Sequence, residues 1–254
     1  MSDDLPGHWM LIPTYNTGPK LRDTVSGALA RWPRVLAVVD GSTDGSDAAL
    51  DALAREHSGL RVLRLARNGG KGAAVLAGAK FLREAGATHV LCMDADGQHP
   101  LDRIWPMMAL SASRPDAVVM GRPVFGPEVP LERLKGRKLT IFWTDLETLW
   151  CGLGDTLFGM RVYPVSGLIA AFSQTPFARG YDFDPEIAVR LCWLGHPPVQ
   201  LDAPVRYFKK SEGGVSHFNY LRDNIKLTFL HFRLVPELLL LRLPAALRLR
   251  RKTK

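Results

Sequence analysis

Residues 88–100 read Thr88-His89-Val90-Leu91-Cys92-Met93-Asp94-Ala95-Asp96-Gly97-Gln98-His99-Pro100. A short apolar run of this kind predicts a buried strand, so the two carboxylates fall at its carboxyl end and the helix-like segment from Leu101 follows. In extended chain residues i and i+2 point to the same side. Asp94 and Asp96 can therefore converge, with Gln98 adding a neutral oxygen. Hard oxygen donors suit Mg2+ or Mn2+, which take few protein ligands and complete their shell with water and a diphosphate. The plainer alternative is a strand-ending turn in which Gly97 supplies a permissive backbone and Pro100 stands near a helix start. The motif by itself does not separate the two.

Its neighbourhood does more. Residues 8–13, 35–39, 60–65, 88–93 and 117–120 are short apolar segments. Between them Leu21, Val25, Ala28 and Leu29, then Ala48, Leu50 and Leu53, then Val75, Leu76, Ala79 and Leu82 recur at helical spacing. Strands alternating with amphipathic helices predict an α/β fold with a mostly parallel sheet covered on both faces. Such sheets bind ligands beyond the carboxyl ends of their strands. Four loops of ligand-binding type, residues 14–17, 40–46, 67–72 and 94–99, share that edge. Residues 122–137, with three prolines, break the pattern and are expected to form a mobile connection over the site.

The chain has 254 residues, 46% of them hydrophobic, enough for one large domain. We divide it into an α/β half that carries the four loops (1–121), a second half of the same domain (122–217) and a basic amphipathic tail (218–254). Cys92, Cys151 and Cys192 show no zinc-ligand spacing and read as buried free thiols. Neither a signal-type stretch nor a run of about 20 apolar residues is evident, so cytoplasmic residence is expected. Residues 203–254 carry 12 Lys/Arg against 3 Asp/Glu, which leaves the remainder of the chain near neutral. A basic tail points to a local anionic partner, phosphates or a lipid surface, and no nucleic-acid signature accompanies it.

Taken together, Ile12-Pro13-Thr14-Tyr15-Asn16, Val38-Val39-Asp40-Gly41-Ser42-Thr43-Asp44-Gly45, Asn68-Gly69-Gly70-Lys71-Gly72 and the Asp94–Pro100 motif resemble family 2 glycosyltransferases, nearest the dolichyl- and polyprenyl-phosphate sugar transferases. The resemblance covers roughly residues 8–210. It implies a GT-A fold, a UDP- or GDP-sugar donor, Mg2+ or Mn2+, and inversion of the transferred sugar. It places Pro13, Tyr15 and Asn16 at the nucleoside, Asp40 at the base or ribose, Lys71 at the diphosphate, Asp94 at ribose or metal, and Asp96 and Gln98 on the metal. Val39 stands where the usual motif has a first acid. Backbone N–H groups in the glycine-rich loop before Lys71 are expected to face the diphosphate.

On the acceptor side Asp155-Thr156-Leu157-Phe158-Gly159-Met160-Arg161 resembles a family segment whose arginine lies near the phosphates, although Phe158 and Met160 depart from it. Asp184 is either a catalytic base or the N-cap of a helix with Pro185 at its first position. An alcohol acceptor requires a base, whereas a lipid phosphate is already anionic. Arg206, Lys209 and Lys210, in a segment resembling a basic loop of the family, would serve the phosphate. His217 and His231 read as packed or interfacial histidines. Residues 234–254 set leucines against arginines, with Pro236 and Pro244 interrupting, and read as a helix lying in an anionic headgroup region. The expected partners are thus a nucleotide-diphosphate sugar, a lipid-linked acceptor (polyprenyl phosphate or another amphipathic lipid such as a glycolipid precursor) and a membrane surface, with a homo-oligomer or membrane-protein partner left open. A degenerate, membrane-bound scaffold and a sugar nucleotidyltransferase remain as alternatives.

Overall fold

The computed structural model describes residues 5–126, 129, 131–205 and 220–253. In chain order the elements are β1 (His8–Thr14), α1 (Lys20–Leu29), β2 (Val35–Asp40), α2 (Ala48–Glu56), β3 (Leu60–Leu65), α3 (Lys71–Glu84), β4 (His89–Cys92), a 3-10 turn (Leu101–Arg103) and α4 (Ile104–Ser113). There follow β5 (Val118–Val124), α5 (Leu131–Glu147), β6 (Arg161–Pro164), α6 (Val165–Ser173), α7 (Phe183–Trp193), β7 (Pro198–Pro204), α8 (Tyr220–Glu237), a π turn (Leu238–Arg242) and α9 (Leu243–Thr253).

The strands form one sheet in the order β3-β2-β1-β4-β6-β5-β7. All neighbours are parallel except β6, which runs antiparallel to β4 and to β5. Alternation along the strands sorts the core into two layers. Trp9, Leu11, Leu36, Val38, Val90 and Cys92 face α3, α6, α7 and the C-terminal helix, while Met10, Ile12, Val35, Ala37, Leu91 and Met93 face α1, α2 and α4. α3 approaches closely because Gly78 has no side chain: a Cβ there would stand 2.5 Å from a Leu11 methyl.

Two expectations change. The irregular connection expected over residues 122–137 is shorter: β5 runs on to Val124, where it pairs with β7, and α5 already begins at Leu131. Pro123 is tolerated because its nitrogen faces the β6 side of β5, as the Gly121 N–H does, and β6 pairs with β5 only at Val119 and Met120, so no ladder hydrogen bond is lost there. The C-terminal segment is not interrupted by its prolines. α8, the π turn and α9 are continuous, with Pro236 and Pro244 flanking the wide turn in which the helical ladder is loosened. Leu230, Leu234, Leu238, Ala246 and Leu249 belong to the main core. Among the described residues no helix is long and apolar enough to cross a membrane. Cys92, Cys151 and Cys192 are buried free thiols.

Candidate active site

The loops after β1, β2, β3 and β4 meet at one sheet edge and are stitched by polar contacts. Asn16, at φ +46°, accepts the Thr43 N–H (2.8 Å) through its side-chain oxygen and donates its own N–H to Ser42 Oγ (3.1 Å). Asparagine is among the few side-chain residues that adopt this conformation readily. Pro13 is buried within β1, and Tyr15 and Asn16 are half-buried beyond its end. Asp40, the buried last residue of β2, accepts from Gly69 N–H (2.9 Å) and Gly70 N–H (2.8 Å), one on each oxygen.

The glycine-rich loop is therefore held from below, and it is also held from above. Gly72 and Ala73 donate their N–H groups to the Arg179 carbonyl (2.8 and 3.3 Å). Gly70 sits at φ +92°, and a Cβ on it would lie 2.4 Å from that same carbonyl. The expectation that these amides face a diphosphate is thus not met. They are spent on Asp40 and Arg179, because a segment more than 100 residues away in sequence packs over the start of α3.

What remains directed into the site is Lys71, the first residue of α3. Its Nζ lies 2.7 Å from Asp94 Oδ1 and 2.7 Å from Asp184 Oδ2. Burial opposes the ammonium charge, but the two carboxylates outweigh it and hold the lysine well above its usual range. The second oxygen of Asp94 faces His99 Nε2 at 3.2 Å, and the buried His99 ring is tilted against Phe158 at 4.8 Å. Against the penalty of burial, Lys71 and His99 hold the Asp94 carboxyl well below the carboxylate range. Asp96 is the opposite case: burial and the adjacent Asp94 charge push its carboxyl up, and its Oδ1 accepts the Gln98 N–H (3.0 Å). Gly159 makes this crowding possible, since a Cβ there would stand 2.8 Å from both Asp94 Oδ2 and Lys71 Nζ.

Asp184 is not a helix cap. α7 begins at Phe183, Asp182 occupies the N-cap position, and the Asp182 carboxylate accepts the Gly180 N–H at 3.1 Å. The turn it organises starts the helix before Asp184, which lands in the first turn. Behind Asp184 lies Arg161, wholly buried. It donates to the Asp184 carbonyl (2.6 Å), to the Tyr163 hydroxyl (3.2 Å) and to the Thr156 carbonyl, and stands 3.6 Å from Asp184 Oδ1. Its guanidinium supports the acid from within the protein rather than from the open side. Arg206, Lys209, Lys210 and His217 lie outside the described residues. His231 is a packed histidine, 2.7 Å from the buried Glu147 and stacked on Trp143 at 5.7 Å.

Sequence reading missed two features. One is His99, whose position in the Asp94–Pro100 motif gives no sign that it pairs with Asp94. The other is a buried ionic lattice: Glu186 accepts from Arg190 Nε (3.0 Å) and Arg233 (2.8 and 3.2 Å), while Glu237 accepts from Arg190 (2.9 and 3.0 Å) and Arg242 (3.0 Å). The i, i+4 spacing of Glu186 and Arg190 was the available signal.

A mostly parallel sheet with an Asp-x-Asp motif on its carboxyl-edge loops defines the GT-A class of nucleotide-sugar-dependent transferases. The Glycosyl transferase family 2 model matches residues 9–172, and the chain belongs to that family. It is 29% identical over 208 residues to the undecaprenyl-phosphate mannosyltransferase of Micrococcus luteus, covering 80% of this chain and 84% of that one. The polyprenol monophosphomannose synthase of Mycolicibacterium smegmatis is 30% identical over 213 residues, 82% of this chain and 79% of its own length. Among solved structures, glucosyl-3-phosphoglycerate synthase of Mycobacterium tuberculosis, in complex with Mn2+, UDP-glucose and phosphoglyceric acid, aligns with TM-score 0.54 at 16% identity, over 81% of this chain and 73% of that one. S. aureus TarS 1–349 with UDP-GlcNAc aligns with TM-score 0.57 at 15% identity over 90% of this chain, which spans 66% of its length. These structural likenesses concern the fold.

Proposed function

We propose that this glycosyltransferase moves a sugar from a UDP- or GDP-sugar to a polyprenyl phosphate with inversion, working peripherally on the cytoplasmic face of a membrane. The observation that carries the reading is the Lys71 bridge. It joins Asp94 of the donor motif to Asp184 of the acceptor-side segment, 113 residues from Lys71, with 2.7 Å on either side. Two polyprenyl-phosphate mannosyl relatives covering most of the chain support the acceptor class.

The donor set fits a small hard cation. Among the described residues no group of three or more His, Cys, Asp or Glu side chains is arranged to hold a metal ion by itself. Asp94, Asp96 and the Gln98 amide offer two carboxylates and a neutral oxygen, the sparse protein share with which Mg2+ or Mn2+ binds when substrate phosphates complete its shell. When bound, such an ion supplies charge neutralisation to the departing nucleoside diphosphate. Asp96 is the ligand least committed elsewhere, since Asp94 already serves Lys71 and His99.

In this reading Pro13, Tyr15 and Asn16 line the nucleoside site, and Asp40 fixes the Gly69–Gly70 turn while keeping lone pairs for the base or ribose. Lys71 turns its charge from the two carboxylates towards the incoming diphosphate. An acceptor phosphate oxygen attacks the anomeric carbon as the bond to the diphosphate breaks. No proton has to leave that nucleophile, so Asp184 acts by holding Lys71, and Arg161 acts as a positioning residue behind Asp184. Arg206, Lys209 and Lys210 are the basic groups we assign to the acceptor phosphate. One observation favours a second reading, a hydroxyl acceptor with Asp184 as base: Asp184 Oδ1 is buried without a hydrogen-bond partner. Transfer to polyprenyl phosphate but not to the free polyprenol supports the first reading, and the reverse supports the second.

The donor is tested by thermal shift with UDP- and GDP-sugars in the presence of Mn2+. A ligand at 100 times its Kd stabilises by about 2.7 kcal/mol, or about 5–10 °C for a chain of this size. One nucleotide series should produce such a shift. Absence of any shift at millimolar concentration counts against the donor assignment.

A further inference from the structure

The chain closes with one helix running from Tyr220 to Thr253 through the π turn, about 50 Å long at 1.5 Å per residue. One side is core: Leu227, Leu230, Leu234, Leu238, Ala246 and Leu249 are buried, and Arg233, Glu237 and Arg242 enter the ionic lattice with α7. The other side is also apolar. Ile225, Phe229, Phe232, Leu239, Leu240 and Leu247 follow one another at helical spacing and are exposed, Phe232 by 76% and Leu240 by 79%. α5 adds Leu139 and Phe142 to the exposed apolar surface, and the exposed Phe177 ring packs edge-on against Phe229 at 5.9 Å.

An apolar face this extended marks an interaction site rather than a surface adapted to water alone. Its rim carries one sign of charge. Residues 225–253 contain seven Lys/Arg and a single acid; Arg233, Arg242 and that acid, Glu237, are engaged in the lattice, which leaves Lys226, Arg248, Arg250, Arg251 and Lys252 as the charge of the rim. Arg248, Arg250, Arg251 and Lys252 crowd the far end, where long basic side chains can reach anionic headgroups while the leucines enter the acyl boundary.

We infer that this face, from Ile225 to Leu247 with Leu139 and Phe142 beside it, docks flat on an anionic lipid bilayer and orients the active site towards it. The near end of the helix meets the site: Lys226 Nζ lies 3.5 Å from the place of a Cβ on Gly180, in the segment leading to Asp184. A phosphate at headgroup depth thus reaches the Asp184 side while its hydrocarbon stays in the membrane. This orientation rests on the lipid-phosphate reading above; the docking surface does not.

The test uses the full chain and F232E/L240E, two exposed positions outside the catalytic machinery. Wild type should co-sediment with phosphatidylglycerol/phosphatidylcholine vesicles, more weakly with phosphatidylcholine alone and more weakly in high salt. F232E/L240E should bind at least tenfold more weakly with an unchanged Tm. It should lose transfer to polyprenyl phosphate embedded in vesicles while keeping transfer to a short, water-soluble prenyl phosphate. Wild type that ignores anionic vesicles, a variant that binds them undiminished, or a wild-type dimer in solution that the substitutions split would overturn the inference. If neither protein uses the short acceptor although wild type binds vesicles, the acceptor reading fails and the surface stands.

Discussion

Replacing Glu186 by Gln keeps the shape of a side chain at the centre of the ionic lattice and removes its charge. Glu186 is fully buried and accepts from Arg190 (3.0 Å) and twice from Arg233 (2.8 and 3.2 Å). Breaking a buried pair from one side costs about 3–5 kcal/mol. Arg190 keeps Glu237, and glutamine keeps one acceptor, so the lower end, about 3 kcal/mol, applies. For a chain of this size that is a fall in Tm of about 6–12 °C. The pH dependence supplies a second signature. Burial opposes the Glu186 charge, but Arg233, Thr175 and Arg190 outweigh it and hold the carboxyl below its usual range. A lowered carboxylate contributes stability above its unfolded pKa of about 4.3 and loses it as pH falls further. The deficit of E186Q should therefore be full at pH 7 and narrow below pH 4 in calorimetric or urea unfolding. A variant melting within about 2 °C of wild type at pH 7, or a deficit independent of pH, refutes the claim that the lattice fastens the C-terminal helix to α7.

Two further outcomes follow from other sites. His8 is buried, stacked on His89 at 4.5 Å and faced by Arg34; burial first, then those charges, lower it to about 4. Only the unfolded chain takes up this proton below about pH 6.5, so stability should fall by about 1 kcal/mol between pH 7.5 and 5.5, and H8Q should flatten that slope; an unaltered slope contradicts the assignment. Gly159→Ala places a Cβ 2.8 Å from Asp94 and Lys71 and should cut kcat/KM about tenfold, roughly 1.4 kcal/mol of transition-state stabilisation, with Tm little changed; full activity would mean that the Lys71 bridge is not needed.

The first half of the chain was legible because its signals are local. Four of the five expected strands ended in chemically distinctive loops, and all five strands occur, four with small shifts of boundary and the fifth running on to Val124. β6 and β7 were not legible. Arg161–Pro164 is four residues long with an arginine that only burial against Asp184, Tyr163 and Thr156 reconciles with a strand. Pro198–Pro204 carries two prolines and Asp202, which only an edge position permits. In the site, single motifs fixed where Lys71, Asp94 and Asp96 lie along the chain. They could not reveal that Arg179 covers the glycine-rich loop or that Asp184 meets Lys71, because both are contacts across more than 100 residues. The tail's leucine–arginine pattern was visible, but not which leucines are core. Leu234, Leu238, Ala246 and Leu249 are buried, so removing the segment would cost the fold as well as any membrane contact.

The central claim is that the Asp94–Asp96 edge activates a nucleotide sugar for transfer to a lipid phosphate. Radiolabelled sugar transfer from UDP- and GDP-sugars to polyprenyl phosphate, with Mn2+ or with a chelator, tests it on wild type and Asp96→Ala. Wild type should form sugar–lipid only with the metal. Asp96→Ala should lose at least about 100-fold of that rate yet melt no lower than wild type, since burial and Asp94 already oppose the Asp96 charge. Undiminished, metal-independent transfer by Asp96→Ala would contradict the account.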